Sequence, residues 1–475
     1  MAEFDVAVIG AGASGLSVAA VAAQLGLRVA LIEKDRMGGD CLNTGCVPSK
    51  ALLAAAHAAT GAREAGRFGV GVDEPRIDWA AVQKRVRNVI DGIAPMDSEE
   101  RFTGLGAVVL RGAARFVERG VLEVALPTGP RRVVARRIVI AAGSRAAVPD
   151  LPGLGDVPYL TNETLFEVAE RPEHLLILGG GSIGLEMAQA HAGLGCRVTI
   201  VERARIASRE DPELAGVLRG RLIGLGVSIR EGSKVVGVEP GPVLVLEDGA
   251  RIAGSHLLVA VGRQPNIEGL GLNAGGITHG PRGIATDTSL RCAGHRRVFA
   301  VGDIADPEGL GPRYLTHVGA YHASLVIRRA LFRLPARLDY RALPRVTYTA
   351  PELAQVGMTE AEAREAGHDV IVMTHDYREN DRARTEGETD GLAKLVLTKR
   401  GQILGVGIVA AHAGEMIGAW TLAISRRIPL SAMASLIVPY PTFSEAPRRA
   451  AGNFFAAKLF SQRTRNLVRL LTRLP

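Results

Sequence analysis

A glycine fingerprint that occurs twice constrains this chain more than any other feature. The stretch FDVAVIGAGASGLSVAAVAAQLGLRVALIE sets Gly10, Gly12 and Gly15 in the pattern G-x-G-x-x-G, between an apolar run, Val6 to Ile9, and an alanine-rich one. A second apolar run, Arg28 to Ile32, ends in Glu33. The order predicts strand, tight turn, helix, strand. Gly10 suits the turn, Gly12 lets the backbone approach a pyrophosphate, and Gly15 lets helix and strand pack closely. The helix N-terminus offers free N–H groups and a positive dipole end to phosphates, and Glu33 can accept hydrogen bonds from a ribose. The pattern returns in HLLILGGGSIGLEMAQAHAGLGCRVTIVE, with Gly179, Gly181, Gly184 and a closing acid, Glu202. The expected fold is therefore α/β with two Rossmann-like modules, holding two dinucleotides or one dinucleotide beside a relic. An acid at the strand end favours NADH, because it repels a 2′-phosphate. Arg203 and Arg205 follow directly and can receive that phosphate, so NADPH stays open.

Two strings, RIVIAAGSRAAVP and HLLVAVGRQPN, are buried strands that end in glycine and a basic turn, which suits crossing points between nucleotide modules. A third, RRVFAVGDIAD, ends a buried strand at Asp303, placed to accept hydrogen bonds from a polyol. The 475 residues leave room for two to four domains. The apolar N-terminal run opens on Glu3 and Asp5 and is broken by glycines, which argues against a signal peptide or membrane span. Four cysteines in such a length exclude a secreted disulfide scaffold, so a cytoplasmic protein is expected. The net charge of +8 comes from scattered arginines without interleaved aromatics, and nucleic acid is not an expected partner.

Two of the four cysteines, Cys41 and Cys46, share the string GGDCLNTGCVPSK. By spacing alone they make a zinc half-site, a structural staple or a redox centre.

The two fingerprints, GGDCLNTGCVPSK, VGRQPN, AVGDIA and PYPTFSE follow one another in an order that resembles the FAD-dependent pyridine nucleotide–disulfide oxidoreductases. That family includes dihydrolipoamide dehydrogenase, glutathione reductase and mercuric reductase. The resemblance implies an FAD domain in 1–145 with a return segment in 273–343, an NAD(P) domain in 146–272, and an α+β dimerisation domain in 344–475. It implies FAD and NADH or NADPH as cofactors and a homodimer. Cofactor contacts would fall on Gly10, Gly12, Ser14, Gly15, Glu33, Lys34, Gly39, Lys50, Ala114, Ala142, Gly143, Ser144, Asp303 and Thr316, and on Gly179, Gly181, Ile183, Gly184, Glu202, Gly262 and Arg263.

For the cysteine pair, a zinc site lacks partners, since Cys196 and Cys292 stand on other elements without paired spacing. A cytosolic staple would be reduced. A redox pair fits best. Pro48 marks a first helical turn, so the Cys46 sulfur should lie at a helix N-terminus that stabilises a thiolate, with Lys50 one turn on along the same face. The resemblance makes Cys46 the thiolate facing the flavin and Cys41 the interchange thiol. It places Glu186 near the nicotinamide. Hydride would pass from NAD(P)H to the flavin, then electrons to Cys41–Cys46 and on to an acceptor. His191, His317, His322 and His412 show no ligand spacing, and no resident metal is expected.

One motif departs from the family. Disulfide-exchanging members carry an acid–base histidine where this chain has Tyr440, while the partner glutamate is kept as Glu445. A phenol of pKa about 10 is a poor base at neutral pH. Mercuric reductases share the tyrosine, and SREDPEL and NDRARTEGETDGLAKLVL are similar to their stretches; yet NLVRLLTRLP has no cysteine pair to deliver Hg(II). The acceptor is expected to be a metal ion, a small disulfide or a quinone. Alternatives are an oxidase, diaphorase or quinone reductase that bypasses the dithiol, a dihydrolipoamide dehydrogenase-type activity, or a redox-sensing adaptor. The tail NFFAAKLFSQRTRNLVRLLTRLP has the spacing of one amphipathic helix, which would touch anionic lipid or an acidic partner, or pack on its own dimer; the last is the expectation.

Overall fold

The computed structural model describes residues 2–474, which form two compact units. The first unit comprises residues up to 173 with 236–245 and 251–338; the second comprises 174–235, 246–250 and the chain from 339 onward.

The first unit is organised by five parallel strands in the spatial order Ala107–Arg111, Val29–Glu33, Phe4–Ile9, Gly129–Ile140, Val298–Ala300. Val6, Val8, Val29, Leu31, Ile138 and Ile140 are buried, the continuous apolar pattern of strands covered on both faces. The chain's direction of travel across the sheet reverses beside Phe4–Ile9, and such a switch point opens a crevice at the strands' carboxyl ends. Gly10, Glu33, Ala142 and Asp303 all sit there. The strand Gly129–Ile140 also pairs antiparallel with Val121–Leu126, which pairs with Ala113–Glu118; Ala114 is buried in this ribbon.

The second unit repeats the nucleotide motif with parallel strands His174–Leu178, Arg197–Val201 and Ser228–Arg230 and the helix Ser182–Gly193. It also holds the expected α+β part, a five-stranded antiparallel sheet ordered Pro344–Thr347, Glu352–Gly357, Ile403–Ala410, Leu392–Thr398, Val370–Asp376. Helices Ala413–Arg426 and Glu445–Leu459 pack on it, enclosing Tyr377, Leu395, Ile408, Trp420 and Phe443.

A charge cluster ties distant parts of this unit together. Lys394, 5% exposed, meets Asp211 at 3.0 Å, Glu213 at 2.7 Å and Glu360 at 2.9 Å. Burial disfavours the ammonium, but the three carboxylates outweigh that and hold it above the usual lysine range.

The tail departs from the single helix expected. Glu445–Leu459 stops at Phe460, and the Ser461 hydroxyl caps a second helix, Gln462–Leu471, by accepting from Thr464 N. A serine that satisfies an orphan N–H starts a helix more readily than it continues one. Among the described residues, no helix is long and apolar enough to cross a membrane.

Candidate active site

The motif GGDCLNTGCVPSK folds as a short helix, Gly39–Asn43, and a long one, Cys46–Glu64, that starts at the second cysteine. Gly45 joins them so tightly that a Cβ there would lie 2.9 Å from Asp40 O. Cys41 and Cys46 are free and half-buried, and the Cys46 sulfur is 3.3 Å from Thr316 Oγ1. Thr316 is itself the first residue of the helix Thr316–Val326. Two helix N-termini thus converge on one sulfur, each favouring negative charge. Cys46 is brought down to about 6 by its hydrogen bond with Cys41, then by Thr316 and the Lys50 cation, against burial and Asp40. The same bond pushes Cys41 up, helped by burial. One thiol is poised as a nucleophile and the other keeps its proton.

Beside the thiols lies a polar hub that the sequence reading recognised only in part. Arg263, with its side chain 11% exposed, donates from Nε to Ser144 Oγ at 2.7 Å and from Nη2 to Ser144 O at 3.0 Å, and pairs with Asp40 at 3.1 Å. Ser144 in turn donates to Asp303 Oδ2 at 2.5 Å. Burial raises the Asp303 carboxyl, with Ser144 and Arg263 opposing. Asp40 also accepts from Asn162 at 2.8 Å and from Thr44 at 2.9 Å. Asn266 donates from its side chain to Ala142 O and from its backbone N to Gly143 O, fixing that loop. Asp40, Asn162 and Asn266 were missed in the sequence. Asp40 stood between two chosen residues, Gly39 and Cys41, whereas the amides carry no local signal. Gly262 holds the adjacent turn by accepting from Ala147 N.

The glycine fingerprints fit the dinucleotides they suggested. A Cβ on Gly15 would stand 1.9 Å from Gly10 O, and one on Gly184 would stand 2.1 Å from Gly179 O. By contrast, a Cβ on Gly12 meets only Gly39 Cα at 3.8 Å, and one on Gly181 meets nothing within 4 Å. The outer glycines are packing positions and the middle ones border open space at an uncapped helix N-terminus. Ser14 is in the first turn of that helix and Lys34 lies exposed beyond Glu33; Ile183 follows Gly181 on its own helix. Both modules brace the turn alike. Glu33 accepts from Ala11 N at 2.6 Å and Asp35 N at 2.8 Å; Glu202 accepts from Gly180 N at 2.7 Å and Ala204 N at 2.8 Å. Gly15→Ala should therefore destabilise the fold by about 1–3 kcal/mol, read from thermal melting. Gly12→Ala should melt like the parent and lose visible absorbance per mole of protein; equal loss of stability in both would contradict this division of roles.

Glu186, Tyr440 and Glu445 belong to the second unit. Glu186 is buried and accepts from Tyr348 N at 2.9 Å. Glu445 is buried at the start of its helix, 3.5 Å from Arg449, and its Oε2 has no hydrogen-bond partner among the described residues. Tyr440 is 70% exposed and donates to Asp381 Oδ2 at 3.2 Å. That hydrogen bond and the Asp381 charge hold the phenol above its usual range, so at neutral pH Tyr440 is a neutral donor. Asp381→Asn should bring the Tyr440 midpoint down toward about 10, measured by tyrosinate absorbance against a Tyr440→Phe background. An unmoved midpoint would sever the link between the two residues.

Comparison with known proteins agrees with this geometry. The pyridine nucleotide-disulphide oxidoreductase family model matches residues 4–361, and its dimerisation domain matches 343–451. Mercuric reductase from Streptomyces lividans is 38% identical over 95% of this chain and 96% of its own length. Dihydrolipoyl dehydrogenase from Geobacillus stearothermophilus is 34% identical, covering 94% and 96%. Among solved structures, a Cu(II) complex of the HOCl-induced flavoprotein disulfide reductase RclA from Escherichia coli superposes with a TM-score of 0.83 at 28% identity, covering 95% of this chain and 99% of that one. The chain belongs to the pyridine nucleotide-disulphide oxidoreductases, homodimeric flavoprotein enzymes that use FAD and NAD(P)H.

Proposed function

We propose that this enzyme moves two electrons from NAD(P)H to the Cys41–Cys46 pair and from there to a soft metal ion, with Hg(II) as the leading acceptor. The observation that carries the proposal is the polarised thiol pair: a Cys46 sulfur held near pKa 6 beside a Cys41 sulfur that keeps its proton. Thiolates are the preferred ligands of soft cations, and relatives that match 95% of this chain include mercuric reductases. Tyr440, held neutral by Asp381, supplies a hydrogen-bond donor but no base at neutral pH, which weighs against disulfide exchange with a bulky thiol substrate.

Bound FAD would accept hydride from NAD(P)H and return the electron pair to the cysteines. Around it, Gly12 would leave room for the pyrophosphate, Glu33 would meet the ribose, and Asp303, with Ser144 and Arg263, would meet the polyol. Glu202 would meet the ribose of the nicotinamide cofactor. Arg205 is drawn away to Ser208 O and Glu210 O, which supports NADH over NADPH. Lys50 and Thr316 hold the Cys46 thiolate, and Cys41 reaches the acceptor first. The balance is NAD(P)H plus Hg(II) giving NAD(P)+, Hg(0) and one proton.

The test is anaerobic reduction of the holoenzyme by NADH or NADPH, followed by Hg(II), Cu(II), a small disulfide or a quinone. Fastest reoxidation by Hg(II), lost in Cys41→Ser, supports the proposal. Fastest reoxidation by the quinone, spared in Cys41→Ser, replaces it with a reductase that bypasses the dithiol.

A further inference from the structure

Arginines are scattered along the chain, but their excess over acids is concentrated at one end. Between 446 and 475 there are seven Lys and Arg residues and no acid, so this segment supplies seven of the eight net positive charges. Beyond residue 451 it lies outside the part that matches the family's dimerisation domain. Its second helix, Gln462–Leu471, has no buried residue. At 3.6 residues per turn, Leu467, Val468, Leu470 and Leu471 share one side, Arg465 and Arg469 take the other, Arg473 borders them, and Arg463 in the first turn falls on the leucine side. Leu467, Leu470 and Leu471 are each more than half exposed, as are Leu459 and Phe460 at the end of the preceding helix.

We propose that this helix docks the protein on an anionic lipid bilayer. The leucine side enters the boundary between headgroups and acyl chains, and the arginines remain at the lipid phosphates. Charge complementarity selects the occupant. Nucleic acid would satisfy the arginines and leave the leucine ridge in water. A second copy meeting it helix to helix would bring the arginines of both together with no acid in either segment to pair them. A bilayer bearing anionic headgroups satisfies both faces at once.

The experiment uses the full-length holoenzyme in vesicle flotation. Vesicles of phosphatidylcholine with phosphatidylglycerol should carry it, less so as salt rises, and vesicles of phosphatidylcholine alone should not. Replacing Arg465, Arg469 and Arg473 together by glutamine should weaken partition roughly a hundredfold, at about 1 kcal/mol per charge. Leu467→Ser with Leu471→Ser should abolish it while the flavin absorbance and dimer mass stay as in the parent. Failure to float on anionic vesicles overturns the proposal, as does equal flotation of both variants. Conversion of the leucine variant to monomer would assign the ridge to a second copy and overturn it too. Retention on heparin without flotation would do the same in favour of nucleic acid.

Discussion

Serine in place of Cys41 is expected to lower metal-ion turnover by on the order of 10³-fold or more while NAD(P)H still bleaches the flavin. The physical reason lies in the unequal pair. Cys46 holds the charge because Cys41 donates to it, Thr316 touches it, and Lys50 stands one turn along the helix. In the reduced protein, Cys46 should be half ionised near pH 6. Its alkylation by iodoacetamide should level off above that point and fall below it, because protonation removes the nucleophile. Cys41→Ala, Thr316→Val and Lys50→Met each take away something that stabilises the thiolate, so each should move the midpoint up. Mass-resolved alkylation across pH checks all three. If none of the midpoints moves, the polarisation is assigned to the wrong neighbours.

The second large effect concerns stability. Lys394→Met leaves Asp211, which is 3% exposed, without its counter-charge and sets three carboxylates against one another. Breaking a buried pair in this way typically costs about 3–5 kcal/mol, and the exposure of Glu213 places the expectation at the lower end, about 3 kcal/mol. Differential scanning calorimetry should show a lower melting transition, and adding Asp211→Asn should restore part of it. If Lys394→Met alone melts like the parent, the cluster does not hold the unit together.

Much of this arrangement was legible in the sequence where chemistry and spacing are local. Gly10, Gly12, Gly15 and Glu33 lie within one strand–helix–strand unit, so their pattern is their geometry. Cys46, two residues before Pro48, was equally readable, because a helix start constrains only its own turn. The hub escaped because it is made of long-range pairs: Ser144 meets Asp303 across 159 residues and Asn162 meets Asp40 across 122. Asp381 escaped for the same reason, at 59 residues from Tyr440, although it lay in a stretch already singled out. Lys394 lay in the same stretch, and its partners are equally remote, with Asp211 and Glu213 more than 180 residues away. The tail was misread as one helix because periodicity runs through Ser461, and only the capping hydroxyl reveals the break.

The distance along the chain between partners also has a consequence on the ribosome. Thr316 is 270 residues from Cys46, and Lys394 is 181 from Glu213. At about 5–20 residues per second, the second interval alone lasts roughly 10–40 s of synthesis. During it the strands His174–Leu178, Arg197–Val201 and Ser228–Arg230 leave the exit tunnel without the sequence that completes their unit. The reactive cysteine likewise emerges long before the hydroxyl that steadies it. Slow codons between 235 and 394 should therefore lower the soluble yield more than slow codons after 451.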